Sequence, residues 1–163
     1  MLSLIKIILA TPIYIDFYLA DFSDSTIMHR AAVIGVRLTR EETSLNLVTN
    51  KLYRAHFSTY DFMHCRTLTC GATTNMSVLI KYGSLPHGFA EVCGKRAVVF
   101  IPKINDSDDF MAISHRNADL VKHEILHMLG ASHYRGYINR ATARVMRSIK
   151  QCLNYRSSHD QLP

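Results

Sequence analysis

"VKHEILHMLGASHYRG", Val121 to Gly136, is the stretch on which the reading of this chain turns. It holds three of the nine histidines, His123, His127 and His133, within eleven residues. Glu124 directly follows the first, and Gly130 stands midway between the second and third. Residues four apart on a helix share a face, so His123 and His127 can both reach one ion. Zn–N bonds are about 2.0–2.1 Å long, so the ligands must converge closely. A straight helix would carry His133 about 15 Å beyond His123, at the usual rise of 1.5 Å per residue. The chain therefore has to stop and turn back between His127 and His133. Gly130 sits where that turn is needed, and glycine takes positive φ without penalty.

Glu124 lies about 100° around the helix from His123, beside the metal but badly placed to be a ligand. It is placed to accept a proton from a zinc-activated water and pass it to a leaving amine. Three neutral imidazoles leave the double charge of zinc uncompensated, which lowers the pKa of that water towards about 7. A fourth coordination position stays open for the substrate carbonyl. The five fixed residues of HExxHxxGxxH are expected by chance on the order of a few times in 100,000 chains of this composition. Incidental histidines are therefore a poor explanation, and a purely structural zinc site has no use for a base at Glu124. His29, His56, His64, His87, His115 and His159 read as surface or satisfied polar groups.

The 163 residues suit one domain, 1–163, able to bury roughly two-thirds of its unfolded surface. With 48% hydrophobic and 20% charged residues, disorder, collagen and coiled coil are excluded. The net charge of +6 could suit an acidic partner, but the lysines and arginines are scattered. A solvated surface fits better than nucleic-acid binding. Cys65, Cys70, Cys93 and Cys152 form no CxxC pair, and an even count allows two disulfides in an oxidising compartment. Residues 1–10 form a poor match to a short signal peptide, since a basic start is missing and Lys6 interrupts the apolar run. No apolar run approaches the roughly 20 residues of a membrane helix. These features together point to a secreted protein without a membrane span.

Along the chain, Ile13, Ile15, Phe17 and Leu19 alternate with Tyr14, Asp16, Tyr18 and Ala20, which predicts a strand buried on one face. Ile27 to Leu38 is compatible with a helix end or a strand. Thr43 to Ala55 is expected to be a helix, with Leu45, Leu47, Val48, Leu52 and Tyr53 roughly on one side. "SVLIKY" (Ser77–Tyr82) and "RAVVFIP" (Arg96–Pro102) are short β-branched strands, and His115 to Leu129 is helical. Strands followed by helices without strict alternation predict an α+β fold.

The motif His123, Glu124, His127, Gly130 and His133 resembles that of the metzincins, a clan of zinc endopeptidases. "ATARVMRS" places Met146 thirteen residues after His133, where the clan's methionine turn would fall. "IYIDFYLADFSD" resembles the first strand of such domains, and "GFAEVCGKRAVVFIP" resembles a reprolysin-like segment. The resemblance implies a twisted mixed sheet with an active-site helix and a small C-terminal part beginning at Gly130. It implies one catalytic Zn2+ on His123, His127 and His133, Glu124 as general base, and Met146 as an apolar floor under the metal. It implies that Ala97, Val98, Val99, Phe100 and Ile101 form an edge strand that pairs with a peptide substrate. By the same resemblance Cys93 pairs with Cys152, and Cys65 with Cys70, one of three connectivities. The chain departs from the subfamilies at Tyr134 and Ser148, where their distinguishing residues would stand.

The sequence-based expectation is thus a monomeric, secreted zinc endopeptidase acting on peptides or proteins. One rival is a catalytically silent zinc-containing binding protein on the same scaffold. Another is a basic protein that binds anionic surfaces, for which salt-sensitive binding independent of zinc would be diagnostic.

Overall fold

The computed structural model of the chain describes residues 11–20, 25–66, 75–105, 108–133, 138 and 140–159. The signal-peptide reading of residues 1–10, the residue at Tyr134 and the Cys70 end of the expected Cys65 pairing lie outside these.

Five strands form one mixed sheet. They are β1 (Ile13–Leu19), β2 (Leu47–Arg54), β3 (Met76–Tyr82), β4 (His87–Ala90) and β5 (Arg96–Ile101), in the order β2-β1-β3-β5-β4. The first four in that order run parallel, and β4 pairs antiparallel to β5. Four helices complete the fold among the described residues: α1 (Ser25–Thr43), α2 (Thr59–Met63), α3 (Phe110–Met128) and α4 (Ala143–His159). The fold is α+β, as expected.

Apolar residues cover both faces of the sheet. Ile15, Phe17, Leu19, Val78, Ile80, Val99 and Ile101 join Met28 and Ala32 of α1 and Val121, Ile125 and Leu126 of α3 in the larger core. On the opposite face Tyr18, Leu79 and Val98 meet Phe62 of α2. Tyr18 stacks on Tyr53 at a centroid distance of 4.9 Å and meets Phe62 edge-on. β1 is therefore buried on both faces, not one, because it is an interior strand. Even Asp16 is enclosed, its carboxylate accepting hydrogen bonds from Asn50 Nδ2 at 2.8 Å and Asn75 Nδ2 at 3.3 Å.

Two expectations need correction. Thr43 to Ala55 is not a helix: α1 ends at Thr43, Ser44 takes φ 59°, and Leu47–Arg54 pairs parallel to β1. Leu45 and Leu47, two apart and both buried, mark the strand's inner side, whereas Lys51 and Leu52 are exposed at the sheet's margin. The helical pattern there was a coincidence of apolar residues on a half-exposed edge strand. The second correction concerns β5. Its backbone bonds β3 on one side and β4 on the other, so Ala97–Ile101 is an interior strand. Ala97, Val98, Val99 and Ile101 are fully buried and unavailable to a substrate. The edge is β4.

Helix α3 starts where Asp109 caps it, the carboxylate accepting from the N–H groups of Met111 and Ala112. Its partner α1 lies against it, and Lys122 of α3 reaches Glu42 of α1 at 2.8 Å. The other oxygen of Glu42 accepts from the Ala141 N–H at 3.1 Å, so one carboxylate ties α1, α3 and the approach to α4 together.

Candidate metal centre

The last two turns of α3 carry His123, Glu124 and His127 in the buried layer between sheet and helix. The helix ends at Met128, and Gly130 takes φ +114°. Its N–H bonds the His127 carbonyl at 2.8 Å, and the Ala131 N–H bonds that of Leu126 at 2.9 Å, which closes the helix and reverses the chain. A side chain at Gly130 would have no room, since its Cβ would stand 2.6 Å from Cys152 Cβ in α4. The reversal brings His133 back to the helix.

The three Nε2 atoms converge. His123 and His127 are 3.1 Å apart, His123 and His133 2.9 Å, and His127 and His133 2.8 Å. Nitrogens bonded tetrahedrally to one zinc would stand about 3.3 Å apart for bonds of about 2.05 Å, slightly wider than this cluster. Each ring of the buried pair is oriented from behind. His123 Nδ1 lies 3.0 Å from the Ile138 carbonyl, and His127 Nδ1 lies 2.7 Å from that of Ala131. A carbonyl only accepts, so Nδ1 carries the proton and donates. Each Nε2 is left with its lone pair facing the cluster, the tautomer that a metal ligand needs. Burial lowers the pKa of both histidines below the ordinary value, the backbone bonds oppose this, and the neighbouring imidazoles add to the lowering. His133 is exposed at the rim. Two inward lone pairs, with the His133 Nε2 completing a cluster of three nitrogens, are a donor set for a metal ion, and the residues present fit one.

Glu124 is 2% exposed, and its Oε2 has no hydrogen-bond partner among the described residues. Burial alone pushes its carboxyl up to about 7. The carboxylate lies against the edge strand: a Cβ built on Gly88 would fall 2.6 Å from Glu124 Oε1. Glu124 thus projects from α3 onto the backbone of β4 at Gly88.

The C-terminal end of α3 is fastened from two sides. Cys93 and Cys152 form a disulfide, which links the β4–β5 turn to α4, and the Cys93 N–H bonds the His127 carbonyl at 3.0 Å. Arg156 Nη2 donates to the carbonyls of Met128, at 3.0 Å, and Gly94. A cation at a helix C-terminus also opposes the negative end of the helix dipole. Met146 stands in the first turn of α4, half-buried and packed against the main core, rather than in an open turn. Sequence reasoning missed Gly88, Arg156 and the carbonyls of Ala131 and Ile138. An isolated glycine in a strand is a signal for close backbone approach, but β4 was too short to be noticed. The two carbonyls leave no signal in the side-chain sequence at all.

No protein-family model matches the chain, and no curated protein sequence matches it. Solved structures do. Archaemetzincin from Methanopyrus kandleri superposes with a TM-score of 0.56 at 15% identity, covering 94% of this chain and 98% of that one. Metalloproteinase-II from Bacteroides fragilis superposes with a TM-score of 0.54 at 11% identity, over 89% of this chain and 54% of that one. Myroilysin gives a TM-score of 0.39 at 12% identity, over 76% and 49% of the two chains. The first two likenesses show that the chain shares the overall fold of those two proteins.

Proposed function

We propose that the protein is a zinc-dependent endopeptidase. The observation that carries this reading is the meeting of three inward-facing imidazole nitrogens with a buried carboxylate, one oxygen of which has no partner among the described residues. His123, His127 and His133 would hold the ion, and the all-nitrogen set with an open fourth position suits zinc. Zinc supplies Lewis acidity there, polarising a carbonyl and making a water a stronger acid. Glu124 would accept a proton at Oε2 and deliver it to the leaving amine. Burial holds this base near neutrality, where proton uptake and release are both accessible.

The free edge of β4, His87–Ala90, binds the peptide backbone by adding a strand to the sheet. This is the role expected for Ala97–Ile101, moved one strand outward to β4, beyond which no strand lies among the described residues. Its position against Glu124 brings the base to the peptide. Gly130 shapes the site without taking part in the chemistry, and Met146 supports it from the apolar side. The Cys93–Cys152 disulfide favours an oxidising, extracellular setting, and no helix among the described residues is long and apolar enough to cross a membrane. We take the protein to act as a monomer. The reprolysin-like kinship rests on the cysteine-bearing segment before β5, whereas the archaemetzincin likeness extends over most of the chain.

Zinc content and cleavage of a quenched peptide library test this, with Glu124→Gln beside the wild type. The expected result is about one zinc per chain in both proteins, cleavage by the wild type that chelation abolishes, and loss of at least about a hundredfold in the variant. Equal zinc in both proteins with no cleavage by either would leave a silent binding scaffold. A folded wild type that takes up no zinc would sink the metal site itself.

A further inference from the structure

The two buried histidines of the candidate centre are oriented from unequal distances along the chain. His127 Nδ1 bonds the Ala131 carbonyl, four residues on and inside the turn that ends α3. His123 Nδ1 bonds the Ile138 carbonyl, fifteen residues on, after the chain has left the helix. The local turn holds the first acceptor in place. The second has no such turn behind it and needs another support.

Part of that support is burial. Ile138 is 5% exposed, and its side chain sits in the main core. A buried side chain fixes where a residue lies, but the rigid peptide plane that carries its carbonyl can still pivot about the chain. A second attachment close by along the chain stops the pivot. Three residues further on, the Ala141 N–H donates to Glu42 Oε2 at 3.1 Å. The other oxygen of Glu42 accepts from Lys122 Nζ at 2.8 Å, and Lys122 directly precedes His123 on α3. Lys122 is itself buried and lies 3.4 Å from Asp119 Oδ1.

These contacts close a ring. It runs from Lys122 to Glu42, across to Ala141, back along the chain to Ile138, and into the His123 ring beside Lys122. The Glu42 side chain is 28% exposed, and partly solvated ion pairs add little to stability. Orientation is the larger use of such a carboxylate. The Nδ1–H bond of His123 selects the tautomer and ring angle that turn Nε2 towards the other two histidines.

We propose that Glu42 of α1 is a positioning residue for the metal centre: by holding the Ala141 N–H it fixes the Ile138 carbonyl that orients His123. The inference rests on reading the three histidines as a metal site, and not on peptidase activity. Its operative contact is the bond to Ala141, while Lys122 steadies the carboxylate that makes it.

The test compares Glu42→Ala with Lys122→Met. Both remove the ion pair, and only the first removes the acceptor of the Ala141 N–H. In the metal-free protein at about pH 8, where imidazoles are neutral, nitrogen-15 shifts report the tautomer of each ring. His127 serves as the internal control, because its acceptor does not involve Glu42. The ratio of Nδ1–H to Nε2–H at His123 is expected to fall at least about threefold in Glu42→Ala, with His127 unchanged. Lys122→Met should move neither ring by as much as about twofold. Zinc titrated against a chelating indicator should bind about tenfold more weakly to Glu42→Ala, the low end of what losing an outer-shell partner costs. An unchanged His123 in Glu42→Ala, or an equal change at His127, overturns the proposal. So does a Lys122→Met protein that matches Glu42→Ala. A wild type that takes up no zinc, with the shift confined to His123, would overturn the metal reading alone.

Discussion

Gly88 of the edge strand and Glu124 of the ligand helix are in contact so close that a Cβ at 88 would stand 2.6 Å from Glu124 Oε1 and 2.8 Å from its Cδ and Cγ. The β4 backbone is held in register by β5, with Gly88 opposite Val99, so the strand cannot easily withdraw. A methyl group there must therefore displace the carboxylate. Gly88→Ala is expected to keep its zinc and lose about a hundredfold in kcat, since displacing a proton-transfer group by about 1 Å is costly. Steady-state kinetics beside metal analysis checks this, and a variant with unchanged kcat would show that Glu124 is not held by that contact.

Zinc binding should be coupled to folding. The three histidines come from the end of α3 and from beyond the turn at Gly130, so the triad exists only when that turn is formed. Free zinc at about a thousandfold above its dissociation constant should add about 4 kcal/mol to stability. Chelation should lower Tm accordingly, and His133→Ala should lose most of that response while folding normally without metal. His133 is the exposed member of the three, so its removal opens no core cavity. A Tm unaffected by chelation in a protein that contains zinc would place the ion elsewhere.

How far the sequence could be read differs between the helix and the sheet for a physical reason. The candidate site declares itself because its three histidines, Glu124 and Gly130 are all local, within eleven residues that span the end of one helix and its turn. Sheet order depends on pairing between residues far apart, which a single strand's letters do not encode. Ala97–Ile101 illustrates this. Its unbroken apolar run was already the pattern of a strand covered on both faces, whereas the true edge, His87–Ala90, is too short and too polar to show a period. Leu47–Arg54 failed in another way, since exposed residues on an edge strand allow apolar spacings that mimic a helix. The carbonyls behind His123 and His127 belong to Ile138 and Ala131, and any residue type could supply them.

The turn after α3 should be intolerant of any side chain. Gly130→Ala combines φ +114° with a Cβ 2.6 Å from Cys152 Cβ and 3.0 Å from the Ser148 carbonyl. Backbone strain and overpacking each cost about 1–3 kcal/mol, so a loss of at least about 2 kcal/mol is expected. Urea unfolding of the metal-free protein measures it apart from any effect on zinc. A loss below about 0.5 kcal/mol would mean that the turn relaxes freely, and that the glycine is not what returns His133 to the helix.

Arg156 and the Cys93–Cys152 disulfide fasten the same helix end, and they should fail in different ways. The disulfide closes a loop with a sequence separation of 59, for which chain entropy gives about 4 kcal/mol. Cys93→Ser with Cys152→Ser should lower stability by about that amount and leave the folded site geometry in place, because Arg156 still bonds the Met128 and Gly94 carbonyls. Arg156→Met should cost less globally, about 1–3 kcal/mol for hydrogen bonds from a charged donor. It acts locally, however, by freeing carbonyls at the turn that positions His127 and Gly130. Hydrogen exchange should then show faster opening at Leu129 to Ala131 in Arg156→Met than in the double serine variant, compared at equal distance from each Tm. Slower or equal exchange there would mean that the disulfide alone holds the end of the ligand helix.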